Sequence, residues 1–261
     1  MVGKCLSFLS QRGVKIYYTS NGDVDMKLLD KSGGNTKVKK SAKTKLAGMT
    51  VRYASLTLRP DEILCPASGL AKCRDACLDT SGMAKVFPSV NESRDAKSAW
   101  FHSDNAGFMD QLLREMRNFQ KLCAKQGVKA VFRLNTMSDV LWEKLIDMAG
   151  EFADCEFIDY TKQPFRLTRT PANYNLMFSY SSVPEYQKQV QVALKTDRPI
   201  AVVFRGGFPK TFLGRPVIDG DESDLINVQT RNTIVALKAK GDAKNDTSGF
   251  VIDNPDLIAV A

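Results

Sequence analysis

Six short apolar runs, each closing on polar residues and separated by enough chain for a crossover, constrain this sequence more than any other feature. They are Thr50–Arg59, Val128–Asn135, Glu156–Tyr160, Tyr174–Tyr180, Ile200–Phe204 and Thr233–Lys238. The first alternates and is stopped by Pro60, and the others are too short for helices, so all six read as strands. Between them, apolar residues at 108, 109, 112, 113, 116, 119 and 122–124 fall at helical spacing over Asp104–Gln126, with Ser103 or Asp104 as cap and Gly127 as stop. Ser138–Phe152 and Val183–Leu194 predict two more helices, and Gly82–Phe101 reads as irregular. Strands joined by such crossovers pair in parallel. The expected class is α/β, as a partial (β/α)6 barrel of mostly parallel strands, although six strands also permit an open doubly wound sheet.

Before this core the chain has a different character. Residues 1–60 carry 12 Lys and Arg against 3 Asp, whereas the other 201 residues hold 25 basic and 26 acidic residues, so the net charge of +8 belongs to the N-terminal segment. Val14–Tyr18 is a candidate edge strand and Ser20–Asp23 a turn. Asp30–Gly48, rich in Lys, Gly, Ser and Thr, reads as a flexible linker or an arm ordered by a ligand. The expected organisation is a basic, partly flexible arm over 1–48 and an α/β core over 49–261. A basic arm suits a nucleotide or nucleic acid as partner. Without an apolar run long enough for a membrane span, or a signal-peptide pattern, the expected location is the cytoplasm and no membrane partner is expected.

In parallel α/β folds ligands bind at the carboxyl ends of the strands. The polar residues there are therefore the candidates: Arg133, Asn135, Asp139, Asp159, Lys162 and Lys238 for catalysis, and Ser179, Arg205, Asp219 and Asp221 for holding a cofactor. Asp219–Asp224 gathers four carboxylates in six residues, a pattern suited to a cation, to ribose hydroxyls or simply to a turn. A single histidine, His102, leaves little room for histidine-based triads, and no G-x-S-x-G, P-loop or G-x-G-x-x-G is present. Three of six cysteines, Cys65, Cys73 and Cys77, lie in one loop, Leu64–Gly82, directly after the first core strand. In a reducing compartment clustered thiols favour metal chemistry. Three thiolates suit a 4Fe-4S cluster with one open iron better than zinc, which wants a fourth ligand such as His102. Cys123 and Cys155 fall on core positions.

Two resemblances follow from these residues. Cys65-Pro-Ala, Cys73, Cys77-Leu-Asp-Thr-Ser-Gly82, Arg133-Leu-Asn-Thr-Met-Ser-Asp139, Trp142-Glu143, Asp159-Tyr-Thr-Lys162, Asn173-Tyr174, Pro216-Val-Ile-Asp-Gly-Asp221 and Leu237-Lys-Ala-Lys-Gly241 resemble a family of bacteriophage and plasmid-borne proteins over roughly residues 45–255. That resemblance implies phage origin and no particular reaction. The order of strand, cysteine loop and alternating elements is also similar to radical S-adenosylmethionine enzymes, although the spacing C-x7-C-x3-C differs from their usual C-x3-C-x2-C. This looser resemblance implies S-adenosylmethionine as cofactor, and with it the basic arm suggests a nucleotide or nucleic-acid substrate. The other functions weighed are a nucleic-acid-binding phage protein with structural zinc and an inhibitor of a host protein.

Overall fold

The computed structural model describes residues 7–9, 15–17, 26–31, 45–46, 48–78 and 81–254. In chain order the strands are β1 (Ser7–Leu9), β2 (Lys15–Tyr17), β3 (Lys45–Leu46), β4 (Met49–Ser55), β5 (Lys129–Arg133), β6 (Glu156–Thr161), β7 (Tyr174–Ser179), β8 (Ile200–Arg205), β9 (Thr211–Phe212), β10 (Arg215–Asp219), β11 (Ile234–Lys238) and β12 (Val251–Asp253). The α-helices are α1 (Met83–Val86), α2 (Pro88–Ser103), α3 (Asn105–Lys125), α4 (Gln187–Leu194) and α5 (Asp224–Gln229). All six expected strands are present. β2 covers most of the expected edge strand and pairs with β1 in a separate two-stranded sheet, while residues 20–23 and 32–44 of the expected turn and linker lie outside the described residues.

Ten strands form one sheet in the order β3-β4-β5-β6-β7-β8-β11-β10-β9, with β12 added on β8. Only the short end pairs β3/β4 and β9/β10 are antiparallel. From β4 to β8 each crossover advances one place in the same direction, and the chain then passes over two places to lay down β9 and returns through β10 to β11. This is a mixed α/β fold with a mostly parallel sheet. The pairing leaves β3 and β9 at opposite ends, and it does not establish the expected six-stranded (β/α)6 barrel.

Both faces of the sheet are covered, which is why the expected strands after the first read as apolar runs rather than as alternations. On one face Phe132, Phe157, Phe178 and Phe204 join Phe108, Leu112, Met116 and Phe119 of α3 in the main core. On the other, Val131, Ile158, Met177, Ala201 and Val235 pack with Leu225 and Val228 of α5. Leu28 and Leu29 are buried in the main core too, their N–H groups donating to the two carboxylate oxygens of Glu115 at 2.9 Å each.

Two local expectations are corrected. α3 matches its expected span, with Asp104 accepting from the Gly107 N–H and Gly127 at φ +64° closing it, but Gly82–Phe101 is not irregular. Most of it is α2, begun by a proline at its first turn and burying only Ala96, Ser98 and Trp100, too few apolar positions to print a helical period. Conversely, Ser138–Phe152 is not an α-helix but a 3-10 turn at Trp142–Lys144 followed by turns. Asn135 Oδ1 accepts from Ser138 Oγ, the Val140 N–H and Trp142 Nε1 at 2.9–3.0 Å. One side-chain oxygen thus takes a backbone donor, the Val140 N–H, that a helix would have used elsewhere, and ties two side chains to the same point.

β8 is where the sheet forks. β11 runs beside residues 200–204, β7 pairs with residues 200–201, and β12 takes residues 203–205. A strand has two edges, so β12 continues the edge that β7 leaves. The turn into β12 is held by Gly249, at φ +97°, whose carbonyl accepts from the Ser182 N–H (2.9 Å) and Oγ (2.8 Å). A Cβ there would stand 2.8 Å from Ser182 Oγ, so both backbone and space call for glycine. Phe250, which follows it, is brought over the ends of β6 and β7.

Candidate functional site

The polar strand ends do not converge on one cleft. Successive residues of a strand point to opposite faces, and the candidates separate accordingly.

Asn135, Asp139 and Asp159 belong to a buried lock on the main-core side. Arg166, fully buried, donates from Nε and Nη2 to the two oxygens of Glu143 (2.9 and 2.8 Å), from Nη1 to Asp139, and from Nη2 to Tyr174 Oη (3.1 Å). Tyr174 Oη donates to Asp159 Oδ2 at 2.8 Å, and the Asn135 N–H donates to Asp159 Oδ1 at 2.8 Å. Asp139 Oδ2 accepts from the Lys162 N–H (2.8 Å) and Thr161 Oγ1 (3.1 Å). Each charge has partners and almost no solvent, the arrangement of a structural clamp that joins β5, β6 and β7. Burial opposes the Arg166 charge, but Tyr174, Asp139 and Glu143 hold its pKa above the ordinary value.

Asp159 carries a measurable consequence. Burial pushes its carboxyl up to about 7, against Arg133, the Tyr174 and Asn135 hydrogen bonds, and Arg166. An unfolded aspartate titrates near ~3.9. Between these values the folded chain holds a proton that the unfolded chain has released, so this group's contribution to stability is full below about pH 4 and lost as pH rises through about 7. The thermal midpoint is expected to fall between about pH 5 and pH 7.5. Asp159→Asn should flatten that part of the profile, and an unchanged slope in the variant would assign the effect to another group.

Arg133 faces the other core. Its Nη1 pairs with Asp224 at the start of α5, its guanidinium lies over the Tyr160 ring (5.1 Å), and Tyr160 Oη donates to Asp224 Oδ1 at 2.6 Å. Burial works against the Arg133 charge, while Asp224 and Tyr160 raise its pKa. Arg205 grips both oxygens of Asp253 (2.7 and 3.0 Å) and the Lys244 and Asp246 carbonyls, fixing β12. Asp219 Oδ1 accepts from the Asp221 N–H; Asp221 binds Lys240 Nζ (2.6 Å) and the Lys238 N–H (3.1 Å). Lys238 Nζ lies 5.9 Å from the centre of the Phe208 ring. Asp219, Asp221 and Asp224 of the acidic loop thus each engage a different partner.

Lys162 stands apart from these. Only 8% exposed, its ammonium donates to Ser179 Oγ at 2.5 Å and lies 4.8 Å from the centre of the Phe250 ring, and no Asp or Glu among the described residues forms an ion pair with it. Tyr186 Oη donates to the carbonyls of Lys162 (2.9 Å) and Ser179 (3.2 Å), so one buried hydroxyl fixes both strand ends. Lys162 is also within electrostatic reach of Cys65. Fork, lysine and cysteine loop therefore meet at the carboxyl ends of β6 and β7.

The loop itself is firmly held. Asp61 Oδ1 accepts from the Ile63 and Leu64 N–H groups (2.9 and 2.8 Å), its carbonyl from the Cys65 N–H (2.9 Å), and its Oδ2 meets His102 Nε2 at 2.7 Å. Despite partial burial, the Leu64 and Ile63 N–H groups and His102 keep the Asp61 carboxyl below the ordinary range. The Asp139 N–H donates to Leu64 O (2.7 Å), and Ser248 Oγ to Lys72 O (3.1 Å). Cys65 and Cys73 are buried and Cys77 partly so. Burial, then Asp139, pushes the Cys65 thiol up to about 12, with Lys162 acting the other way and Cys73 and Cys77 adding to the rise. Cys73 Sγ donates to Ser68 O at 3.7 Å. Among the described residues no three His, Cys, Asp or Glu side chains are grouped as a ligand set for a metal, and His102 is engaged by Asp61. Cys123 and Cys155 are core thiols, as expected.

Arg166, Tyr186 and Phe250 escaped the sequence reading. Arg166 is 27 residues from Asp139 and Tyr186 is 24 from Lys162, Phe250 lies on a different strand connection, and the apolar pattern around each carries no mark of a site.

A family model described as gene product 88 matches residues 26–254. No curated protein and no solved structure matches the chain. Among the described residues no helix is long and apolar enough to cross a membrane.

Proposed function

This chain belongs to the gene product 88 family, a phage-type family, and from that premise we propose that it binds a small organic ligand at the carboxyl ends of β6 and β7, with Lys162 as the group that meets it. The observation that carries this reading is a buried ammonium that forms no ion pair with an Asp or Glu among the described residues. Removing a charge from water without a counter-ion costs stability, and a residue kept at such a cost is explained by what it binds. Parallel α/β sheets take their ligands at this end.

Lys162→Met tests it. Methionine keeps the length and apolar stem and removes the charge, so the ligand-free variant is expected to be as stable as the parent or more stable by about 1 kcal/mol. In a thermal-shift screen of small metabolites, compounds that raise the parent's melting temperature should leave the variant's unmoved. A ligand-free variant weakened by several kcal/mol would make Lys162 a structural residue and end this reading.

An iron–sulfur cluster on Cys65, Cys73 and Cys77, with the radical S-adenosylmethionine chemistry and barrel that would accompany it, rests on the cysteine spacing and the order of elements alone. Iron and sulfide content after anaerobic reconstitution separates it from the lysine-centred site. A nucleotide or nucleic-acid partner rests likewise on the charge of residues 1–60.

A further inference from the structure

We propose that Lys162 is a nucleophile that forms a Schiff base with an aldehyde or ketone substrate, an inference that rests on the lysine-centred site above and names its substrate class. The surroundings select the amine among the groups gathered there. Cys65 is held as the neutral thiol by burial, and Cys73 donates its S–H to the Ser68 carbonyl. Tyr186 has its hydroxyl committed to the Lys162 and Ser179 carbonyls. Ser179 Oγ serves as acceptor for the lysine itself at 2.5 Å. A lysine side chain fixed by its neighbours presents its nitrogen in one place, and Lys162 is 8% exposed, with its Nζ on Ser179 Oγ at 2.5 Å and no ion pair to an Asp or Glu among the described residues.

The chemistry balances without a redox partner. The amine lone pair adds to the carbonyl carbon, and the oxygen takes up the proton that the nitrogen gives up. Loss of that hydroxyl as water, on the proton that the ammonium released before the attack, leaves the protonated C=N bond. Overall one ammonium and one carbonyl give one protonated imine and one water. Ser179 Oγ, already hydrogen-bonded to the nitrogen, is placed to pass the proton between nitrogen and oxygen. The Phe250 ring, 4.8 Å away at its centre, suits the product as well as the starting ammonium, since a protonated imine keeps the positive charge over the ring face.

The test is reductive trapping on the full chain. The protein is treated with limiting glyoxylate and cyanoborohydride at neutral pH, and peptide mass mapping locates the carboxymethyl adduct. Lys162 should carry the adduct at roughly tenfold or more the level of the average other lysine. In Lys162→Arg, which keeps the charge but cannot condense, that excess should vanish while the remaining lysines label as before. Adduct spread over exposed lysines, with Lys162 at or below their mean, overturns the Schiff base. The stability of ligand-free Lys162→Met separates the two readings. Unchanged stability together with no trapping removes the covalent chemistry and leaves the site, whereas lost stability removes both.

Discussion

Replacing Arg166 by methionine is expected to destabilise the protein by about 3–5 kcal/mol, the cost of leaving a buried ion group without its partner. Arg166 has no solvent exposure and serves Glu143 with two hydrogen bonds, Asp139 with one and Tyr174 with another. Methionine fills a similar volume, so the loss comes from two carboxylates, 3% and 10% exposed, that keep their burial and lose their cation. Both sit on the loop between β5 and β6, so the damage reaches Asn135 and the end of β5. A domain holds only about 5–15 kcal/mol in all, and the urea midpoint should fall steeply or the chain fail to accumulate. A loss below about 1 kcal/mol would mean that the lock is solvated and not structural.

Arg133→Met is expected to cost about 2–4 kcal/mol, somewhat less, because Asp224 keeps the Tyr160 hydroxyl at 2.6 Å. Here the informative result is the rescue. Arg133→Met with Asp224→Leu replaces the pair by apolar groups on the α5 side of the sheet, and should recover all but about 1 kcal/mol. Chemical denaturation of parent, single and double variants closes the cycle. If the double variant is no better than Arg133→Met alone, α5 depends on the ion pair itself for its seat, and the packing of Leu225 and Val228 is not enough to hold it.

The two ion pairs and the unpaired lysine show how differently three strand-end cations can be used. Arg166 and Arg133 are matched by carboxylates and hold the structure together. Lys162 is matched by a hydroxyl and a ring. In sequence all three are basic residues in or beside polar stretches, and nothing local distinguishes them.

What the sequence determined by itself is the sheet. Each parallel strand had to be apolar on both faces, and that requirement is written in consecutive residues, so β4, β5, β6, β7, β8 and β11 were legible within a few positions. α3 was legible for the same reason, its apolar period and its Asp104 cap being local. Local pattern failed at α2, whose buried positions are few, and at 138–152, where Asn135 captures the Val140 N–H. Only the tertiary structure decided which polar residues meet. Asp224 is 91 residues from Arg133, Arg166 is 27 from Asp139, and Phe250 reaches Lys162 only because β12 takes the edge of β8 that β7 leaves. Apolar burial is set by each residue's own side chain and so survives in a one-dimensional reading. A buried charge is defined by its partner, and partners are chosen by the fold.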